Sequence, residues 1–301
     1  MTQTRRIGFI GLGAMGAGMA FNIRTKGYEL AVVGGRAARA VEDLRALGAT
    51  VVPDPRSLAE RVDIVHLCLP SSREVEAVAN GADGLLRGLR AGMVVVDSTT
   101  ADPGAAEGFA RRLAERGVTL VDAPVSRSPS DARAGKLNTM VGAAPEMLER
   151  VRPLLACFAE NIFHAGPAGA GYRLKLIANF LTLTHAVAAA EATILARACG
   201  IDLDMLSRVV SAGGSNSAAF QLMMPWALTR EVGRFAFSVE NAAKDLRYLT
   251  RMAADRGCID LLGGAALRAI ALAKAQSQGG ALMPQILDPL ARLSAVDAGG
   301  R

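Results

Sequence analysis

Short apolar runs alternate with amphipathic stretches through the first half of the chain. Six of these runs predict strands, at residues 6–10, 29–33, 50–52, 64–69, 93–96 and 119–121. Strands that are separated by helical periodicity pair in parallel, with crossover helices on both faces of the sheet. Two further β-like runs, at 137–141 and 161–164, are candidates to extend it. The first half therefore predicts an α/β domain with a doubly wound, mostly parallel sheet.

The pattern changes at the glycine-rich segment 166–171, after which the periodicity is helical to the end of the chain. Residues 172–198 are apolar nearly all round, which predicts a long helix that is buried on all sides and runs between two domains. Shorter helices are predicted at 203–211, 223–229, 239–256, 264–276 and 285–295. We therefore expect a sheet domain over residues 1–165 and an all-helical domain over residues 166–301.

Composition narrows the class of protein. The net charge of +6 makes nucleic acids and acidic ligands candidate partners. Only five of the 34 basic residues are lysines and aromatic residues make 4% of the 301, which argues against a nucleic-acid-binding module. Four scattered cysteines without a CxxC motif and three histidines without ligand spacing predict reduced thiols and no metal site.

The longest apolar stretch, residues 174–195, includes Lys175, Asn179, His185 and Glu191. Charged and polar groups in its middle favour a buried helix over a membrane span. The first residues show no secretory signal pattern. We therefore expect a cytoplasmic protein that does not associate with membranes.

A glycine motif follows the first predicted strand and opens the first predicted helix. Its residues are Gly11, Leu12, Gly13, Ala14, Met15 and Gly16. In a strand–turn–helix context this GxGxxG spacing is the fingerprint of a Rossmann dinucleotide-binding domain, in which the helix N-terminus faces the pyrophosphate. The segment after the second strand indicates which dinucleotide binds. It holds no carboxylate for a ribose 2′-hydroxyl but carries Arg36 and Arg39. This favours NADP, with Arg36 as the phosphate ligand and NAD as the alternative.

Four segments in this order, at residues 11–22, 122–126, 169–179 and 243–249, carry a resemblance that covers nearly the whole chain. With them the sequence resembles the β-hydroxyacid dehydrogenase family, which includes 3-hydroxyisobutyrate dehydrogenase and semialdehyde reductases. The resemblance implies a Rossmann domain, a long interdomain helix and a helical C-terminal domain of the 6-phosphogluconate dehydrogenase type. It also implies a homodimer or homotetramer and a small anionic hydroxyacid or semialdehyde as substrate.

The family's catalytic lysine corresponds to Lys175, and an asparagine of its site corresponds to Asn179. Their spacing of four residues puts both on one face of a helix, which we expect to face the cleft between the domains. The implied reaction is reversible hydride transfer with NADP(H), in which Lys175 is the general acid or base. Imine reductase-like activity is one alternative, which Lys175 disfavours because those relatives replace the lysine. A non-catalytic NADP-binding protein is another.

The segment Asp122-Ala-Pro-Val-Ser126 corresponds to the family's substrate loop, in which Ser126 would hold the substrate carboxylate. The family continues with two glycines, whereas this chain has Arg127 and Ser128. The sulfolactaldehyde reductase branch also carries an arginine in this loop. Arg127 is therefore expected either to bind a strongly anionic group of the substrate or to point outward.

The remaining family positions concern the cofactor. Leu69 and Pro70 correspond to the turn under the adenosine, and Thr99 and Thr100 to residues near the nicotinamide. Lys244, in the helical half, corresponds to a lysine that reaches the cofactor; a solvated helix lysine is its alternative.

Overall fold

The computed structural model describes residues 6–35, 37–277 and 280–296. Within these residues nine strands form one sheet in the order β3-β2-β1-β4-β5-β6-β8-β7, and β9 pairs with β8. The strands are β1 (Arg6–Ile10), β2 (Glu29–Val33), β3 (Thr50–Val52), β4 (Ile64–Leu67), β5 (Val94–Asp97), β6 (Thr119–Asp122), β7 (Val125–Ser126), β8 (Leu137–Gly142) and β9 (Ala159–Gly166).

Strands β1 to β6 are parallel, which confirms the predicted doubly wound sheet. Strand β8 runs antiparallel to β6 and β7 and parallel to β9. Both β-like runs near residues 140 and 162 therefore extend the sheet. The two-residue strand β7 was not predicted, because a run this short carries no periodicity.

Helices cover both faces of the sheet, and the two faces have separate apolar cores. Val94 and Val96 of β5 lie in one core cluster, and Val95 between them lies in the other. Successive side chains of a strand point to opposite faces, so a continuous apolar run is what a sheet buried on both faces requires. The helices are α1 (Gly16–Thr25), α2 (Ala38–Ala46), α3 (Pro55–Ala59), α4 (Ser72–Ala79), α5 (Leu85–Gly88), α6 (Pro103–Ala114), α7 (Pro129–Arg133) and α8 (Pro145–Leu155).

The chain divides into two compact units, one ending at Lys175 and one beginning at Leu176. The division falls inside the long helix α9 (Ala170–Ala198). The second unit is helical and has its own apolar core. Its further helices are α10 (Leu203–Ala212), α11 (Ala218–Thr229), α12 (Val239–Asp255), α13 (Leu261–Gln276), the 3-10 helix Met283–Ile286 and α14 (Leu287–Leu293).

The prediction that α9 is buried on all sides is wrong. Leu174, Ile177, Leu181 and Leu195 are 40% to 64% exposed along one side of the helix. Other described residues cover the opposite side only, so the apolar composition did not translate into complete burial. By length and composition α9 is also the one helix among the described residues that could cross a membrane. That is weak evidence, because the core helix of a water-soluble domain passes the same test.

Candidate active site

The candidate site lies at the carboxyl edge of the sheet in the first unit. Strands β1, β4, β5 and β6 are parallel neighbours, so their carboxyl ends lie side by side. The predicted segments that follow these strands are Gly11 to Gly16 after β1, Leu69 and Pro70 after β4, Thr99 and Thr100 after β5, and Ser126 after β6. The fold thus brings together segments spread over more than 100 residues, at the edge where open α/β sheets bind ligands.

The glycine turn fits a dinucleotide. Gly11 has φ +105°, and a Cβ there would lie 2.1 Å from the Cys68 carbonyl oxygen. A Cβ on Gly16 would lie 1.9 Å from the Gly11 carbonyl oxygen, so α1 can begin against the turn only with glycine there. Gly13 is different, since no atom lies within 4 Å of the place where its Cβ would be. Its backbone is open to a pyrophosphate at the start of α1, where N–H groups lack helical partners.

The other residues of the turn differ in exposure: Leu12 is buried, Ala14 exposed and Met15 half-buried. Arg36, the predicted ligand of the 2′-phosphate, lies outside the described residues. Arg39, in the first turn of α2, is exposed.

Hydrogen bonds join the loops that follow β4 and β5. The Leu69 N–H donates to Thr99 Oγ1 at 3.1 Å, and the Thr99 N–H donates to Asp97 Oδ1 at 2.8 Å. Thr99 is buried, Thr100 is half-buried, and Pro70 is exposed at the end of its loop. The two predicted cofactor loops therefore form one connected unit.

Two buried carboxylates fix the first turn of α9 to this edge. Asp97 and Asp122 are the last residues of β5 and β6 and lie opposite each other in the sheet. The Tyr172 hydroxyl donates to Asp97 Oδ2 at 2.7 Å. Asp122 accepts from the N–H groups of Gly169, at 2.6 Å, and Tyr172, at 3.0 Å. Because it accepts from N–H groups at the helix N-terminus, Asp122 acts as a cap supplied from the sheet.

The close approach of α9 to the sheet requires a glycine. A Cβ on Gly171 would lie 2.3 Å from the Met140 carbonyl oxygen and 2.7 Å from Asp122 Oδ2. The Gly-x-Gly pair at the start of α9 and the acidic residues at two strand ends are visible in the sequence, but nothing in it shows that they meet. Asp97, Asp122 and Tyr172 were therefore missed as site residues.

Burial controls the ionisation of this cluster. It raises the pKa of Asp97 to about 6, and the nearby Asp122 carboxylate acts in the same direction, whereas hydrogen bonds from Thr99 and Tyr172 oppose the rise. Burial also raises the pKa of Asp122. The pKa of Tyr172 lies well above its ordinary value, because of burial and the Asp97 charge. Tyr172 therefore remains a hydrogen-bond donor at neutral pH.

Lys175 lies one turn after Tyr172 in α9 and is 8% exposed. Asn179 follows one turn later, and its Nδ2 donates to Asp245 Oδ2 on α12 at 2.6 Å. Lys244 Nζ is 3.1 Å from the other oxygen of Asp245. The buried Asp245 thus holds two predicted site residues of the second unit, a role that the sequence pattern did not indicate although the residue adjoins Lys244.

The residues after the substrate loop have partners of their own. Arg127 Nη1 donates to Glu160 Oε2 and to the Lys136 carbonyl oxygen, both at 2.6 Å. The Ser128 side chain caps α7. Ser126 Oγ makes no hydrogen bond to any described residue. This arrangement favours the alternative in which Arg127 points away from the substrate, and it leaves the Ser126 hydroxyl available.

Comparison with known proteins extends these observations. Residues 6–166 match the family model of the NAD binding domain of 6-phosphogluconate dehydrogenase. Residues 169–290 match the model described as the NAD-binding region of NADP-dependent 3-hydroxyisobutyrate dehydrogenase. Together the two matches span nearly the whole chain and confirm that it binds a nicotinamide cofactor.

The activities for which related proteins are named indicate the class of reaction. The NAD-dependent L-serine dehydrogenase of Pseudomonas aeruginosa is 37% identical over 222 residues, 74% of each chain. The 3-sulfolactaldehyde reductase of Escherichia coli is 30% identical over 273 residues, 91% of each chain. Among solved structures, 3-hydroxyisobutyrate dehydrogenase of Mycobacterium tuberculosis with L-serine superposes with a TM-score of 0.84, at 28% identity over 96% of this chain and 99% of that one. The chain therefore belongs to the β-hydroxyacid dehydrogenase family, as an NAD(P)-dependent enzyme that acts on small hydroxyacids.

Proposed function

We propose that this enzyme interconverts a 3-hydroxyacid and its semialdehyde with NADP(H), and that Lys175 moves the proton. The observation that supports the proposal is the anchoring of α9 by Asp97 and Asp122 at the ends of β5 and β6. A residue one turn further along the helix is only about 4.5 Å further along its axis. Lys175 thereby belongs to the same edge of the sheet as the glycine turn and Thr99.

The residues proposed to hold the cofactor are the turn from Gly11 to Gly16, Leu69 and Pro70, Thr99 and Thr100, Arg36, and Lys244. NADP is preferred in this proposal because no carboxylate follows Val33 before α2. When bound, the nicotinamide exchanges a hydride with the substrate carbon that carries the oxygen.

The proposed role of Lys175 is proton transfer at the substrate oxygen. In reduction its ammonium donates a proton to the oxygen as negative charge develops there, and in oxidation the neutral amine accepts the hydroxyl proton. A buried ammonium stabilises such a charge more strongly than one in water does, because the surroundings screen it less. Asn179, held by Asp245, would orient the substrate beside the lysine.

For the substrate we propose an acid with one carboxylate, held by Ser126 Oγ and the backbone N–H groups that follow. The hydrogen bonds of Arg127 to Glu160 and Lys136 support this over a substrate with a second strong anion. The presence of Lys175 also favours hydroxyacid chemistry over imine reduction and over a non-catalytic NADP-binding role. The cytoplasmic location, the homodimer or homotetramer and the domain bounds 1–165 and 166–301 stay predictions.

A panel of hydroxyacids and semialdehydes, assayed with NADP(H) and NAD(H), tests the proposal. We expect the highest kcat/KM for a 3-hydroxyacid with NADP(H). Arg36→Ala should reduce the preference for NADPH over NADH by about 1–3 kcal/mol, measured by isothermal titration, because a charge-assisted contact is lost. Equal affinities for NADPH and NADH in the parent protein would overturn the proposed cofactor preference.

A further inference from the structure

Tyr172 is the largest fully buried side chain among the described residues. Its ring packs with Ala101 and Ala106, in the segment that follows β5 and in α6. The residue lies in the first turn of α9, three positions before Lys175. Burial of a phenol hydroxyl is costly unless the group has a hydrogen-bond partner, and here the partner is a carboxylate.

The Tyr172 hydroxyl is one end of a chain of hydrogen bonds that reaches the proposed cofactor loops. It donates to Asp97 Oδ2, the Thr99 N–H donates to Asp97 Oδ1, and the Leu69 N–H donates to Thr99 Oγ1. The backbone of Tyr172 belongs to the helical turn that leads to Lys175. Asp97 is therefore the point at which the helix with the proposed proton donor and the loops after β4 and β5 are joined.

Titratable groups from three elements are coupled to the Asp97 carboxyl. Asp122 on β6 and Tyr172 on α9 shift its pKa, and its charge in turn raises the pKa of Cys68, directly after β4. Two donors, the Thr99 N–H and the Tyr172 hydroxyl, stabilise its ionised form. Both bonds as they stand donate to Asp97, so protonation of the carboxyl would weaken the bond from the Thr99 N–H or reverse the one from the Tyr172 hydroxyl.

We propose that the Tyr172 hydroxyl is a positioning group for catalysis, which holds the turn with Lys175 in register with Thr99 through the ionised Asp97 carboxylate. The inference rests on the proposed function of Lys175. Two consequences follow. Removal of the hydroxyl should reduce kcat rather than cofactor affinity, and turnover should fall at acidic pH as Asp97 takes up a proton.

Tyr172→Phe tests this, because it keeps the ring and removes only the hydroxyl. Carbon-13 NMR of the carboxyl groups, on protein without cofactor, measures the pKa of Asp97 independently of activity. Loss of one hydrogen bond to a carboxylate should raise that pKa by about one pH unit. In the kinetic assay kcat should fall about 10- to 100-fold at pH 7, as expected for a misplaced catalytic group. The acid limb of the pH profile of kcat should move upward with the Asp97 pKa.

Thr193→Val is the matched control, since Thr193 is another buried hydroxyl on α9 and donates to the Ala189 carbonyl at 2.7 Å. It should change neither the Asp97 pKa nor the pH profile of kcat. Asp97→Asn is the second variant: it removes the titrating group, so the acid limb that follows Asp97 should be absent. An acid limb that stays unmoved in Tyr172→Phe, while NMR shows a raised Asp97 pKa, would overturn the proposal.

The result with Lys175→Ala separates the two proposals. If that variant turns over normally, the proposed function of Lys175 is wrong. If it is inactive while Tyr172→Phe keeps the parent kcat and pH profile, only the positioning role of Tyr172 is wrong.

Discussion

The environment of His66 on β4 predicts how the stability of the folded protein changes at acidic pH. The ring is fully buried, stacks on Phe9 with centroids 4.8 Å apart, and has Nε2 2.9 Å from Ser98 Oγ. Ser98 Oγ gives its proton to the Ala123 carbonyl, so it accepts from His66, which fixes the Nε2–H tautomer. Nδ1 has no partner among the described residues, and burial lowers the pKa of His66 to about 3.

The size of the effect follows from linkage. The ordinary pKa of a histidine is 6.5, so between pH 6.5 and about 3 the unfolded chain binds a proton at His66 that the folded protein does not. The folded state therefore loses stability as pH falls, by about 1.4 kcal/mol per pH unit. From pH 7.5 to pH 4.5 the loss through His66 integrates to about 2.7 kcal/mol.

The free energy of unfolding of the parent protein alone does not isolate this loss, because Asp97 contributes in the opposite direction. The pKa of Asp97 is raised from 3.8 to about 6, so the folded state binds the extra proton there and gains stability as pH falls from 6 toward 3.8. The two contributions oppose each other over most of that interval. Comparison with a His66 variant isolates the histidine, because the Asp97 contribution is common to both proteins.

His66→Gln is the suitable variant, since its amide can donate to Ser98 Oγ and does not titrate. The measurement is the free energy of unfolding in urea, followed by circular dichroism, at pH 7.5 and 4.5. Relative to the variant, the parent's free energy of unfolding should fall by about 2.7 kcal/mol between pH 7.5 and pH 4.5. A constant difference for His66→Gln would refute the assignment of a buried, neutral ring.

Three further outcomes are expected. Lys175→Ala should lower kcat by about 10²- to 10⁴-fold with unchanged dinucleotide affinity, whereas Lys274→Ala, on the exposed side of α13, should have no effect; near-normal turnover of Lys175→Ala contradicts the assignment. Gly13→Ala should weaken NADPH binding in titration but keep the unfolding temperature of the cofactor-free protein. Gly16→Ala should lower that temperature, because only the Cβ at residue 16 meets a backbone atom. Equal unfolding temperatures of the two variants would contradict this. Arg127 has φ +87°, so Arg127→Gly should be about 1 kcal/mol more stable than Arg127→Ala in urea unfolding. Arg127→Gly should also change kcat/KM equally for two substrates that differ only in having a carboxylate or a sulfonate. A loss of kcat/KM confined to the sulfonate would show that Arg127 binds the sulfonate.

The sequence alone determined the parts of this protein that depend on local pattern. Apolar runs at strand length predicted the sheet, because a strand buried on both faces needs an uninterrupted apolar run. The glycine turn was predicted from its place between a strand and a helix, and Gly11, Gly13 and Gly16 behave as that motif requires. Family membership was predicted from four motifs in order, and the family models confirm it.

Tertiary structure alone decided the contacts between residues far apart in the chain. Tyr172 meets Asp97 75 residues away, and Arg127 meets Glu160 33 residues away. No local periodicity records such pairs, because they depend on strand order and on where a helix starts against the sheet. The exposed side of α9 was missed for the same reason, since composition gives how apolar a helix is, and only the packing of other elements determines which of its sides they cover.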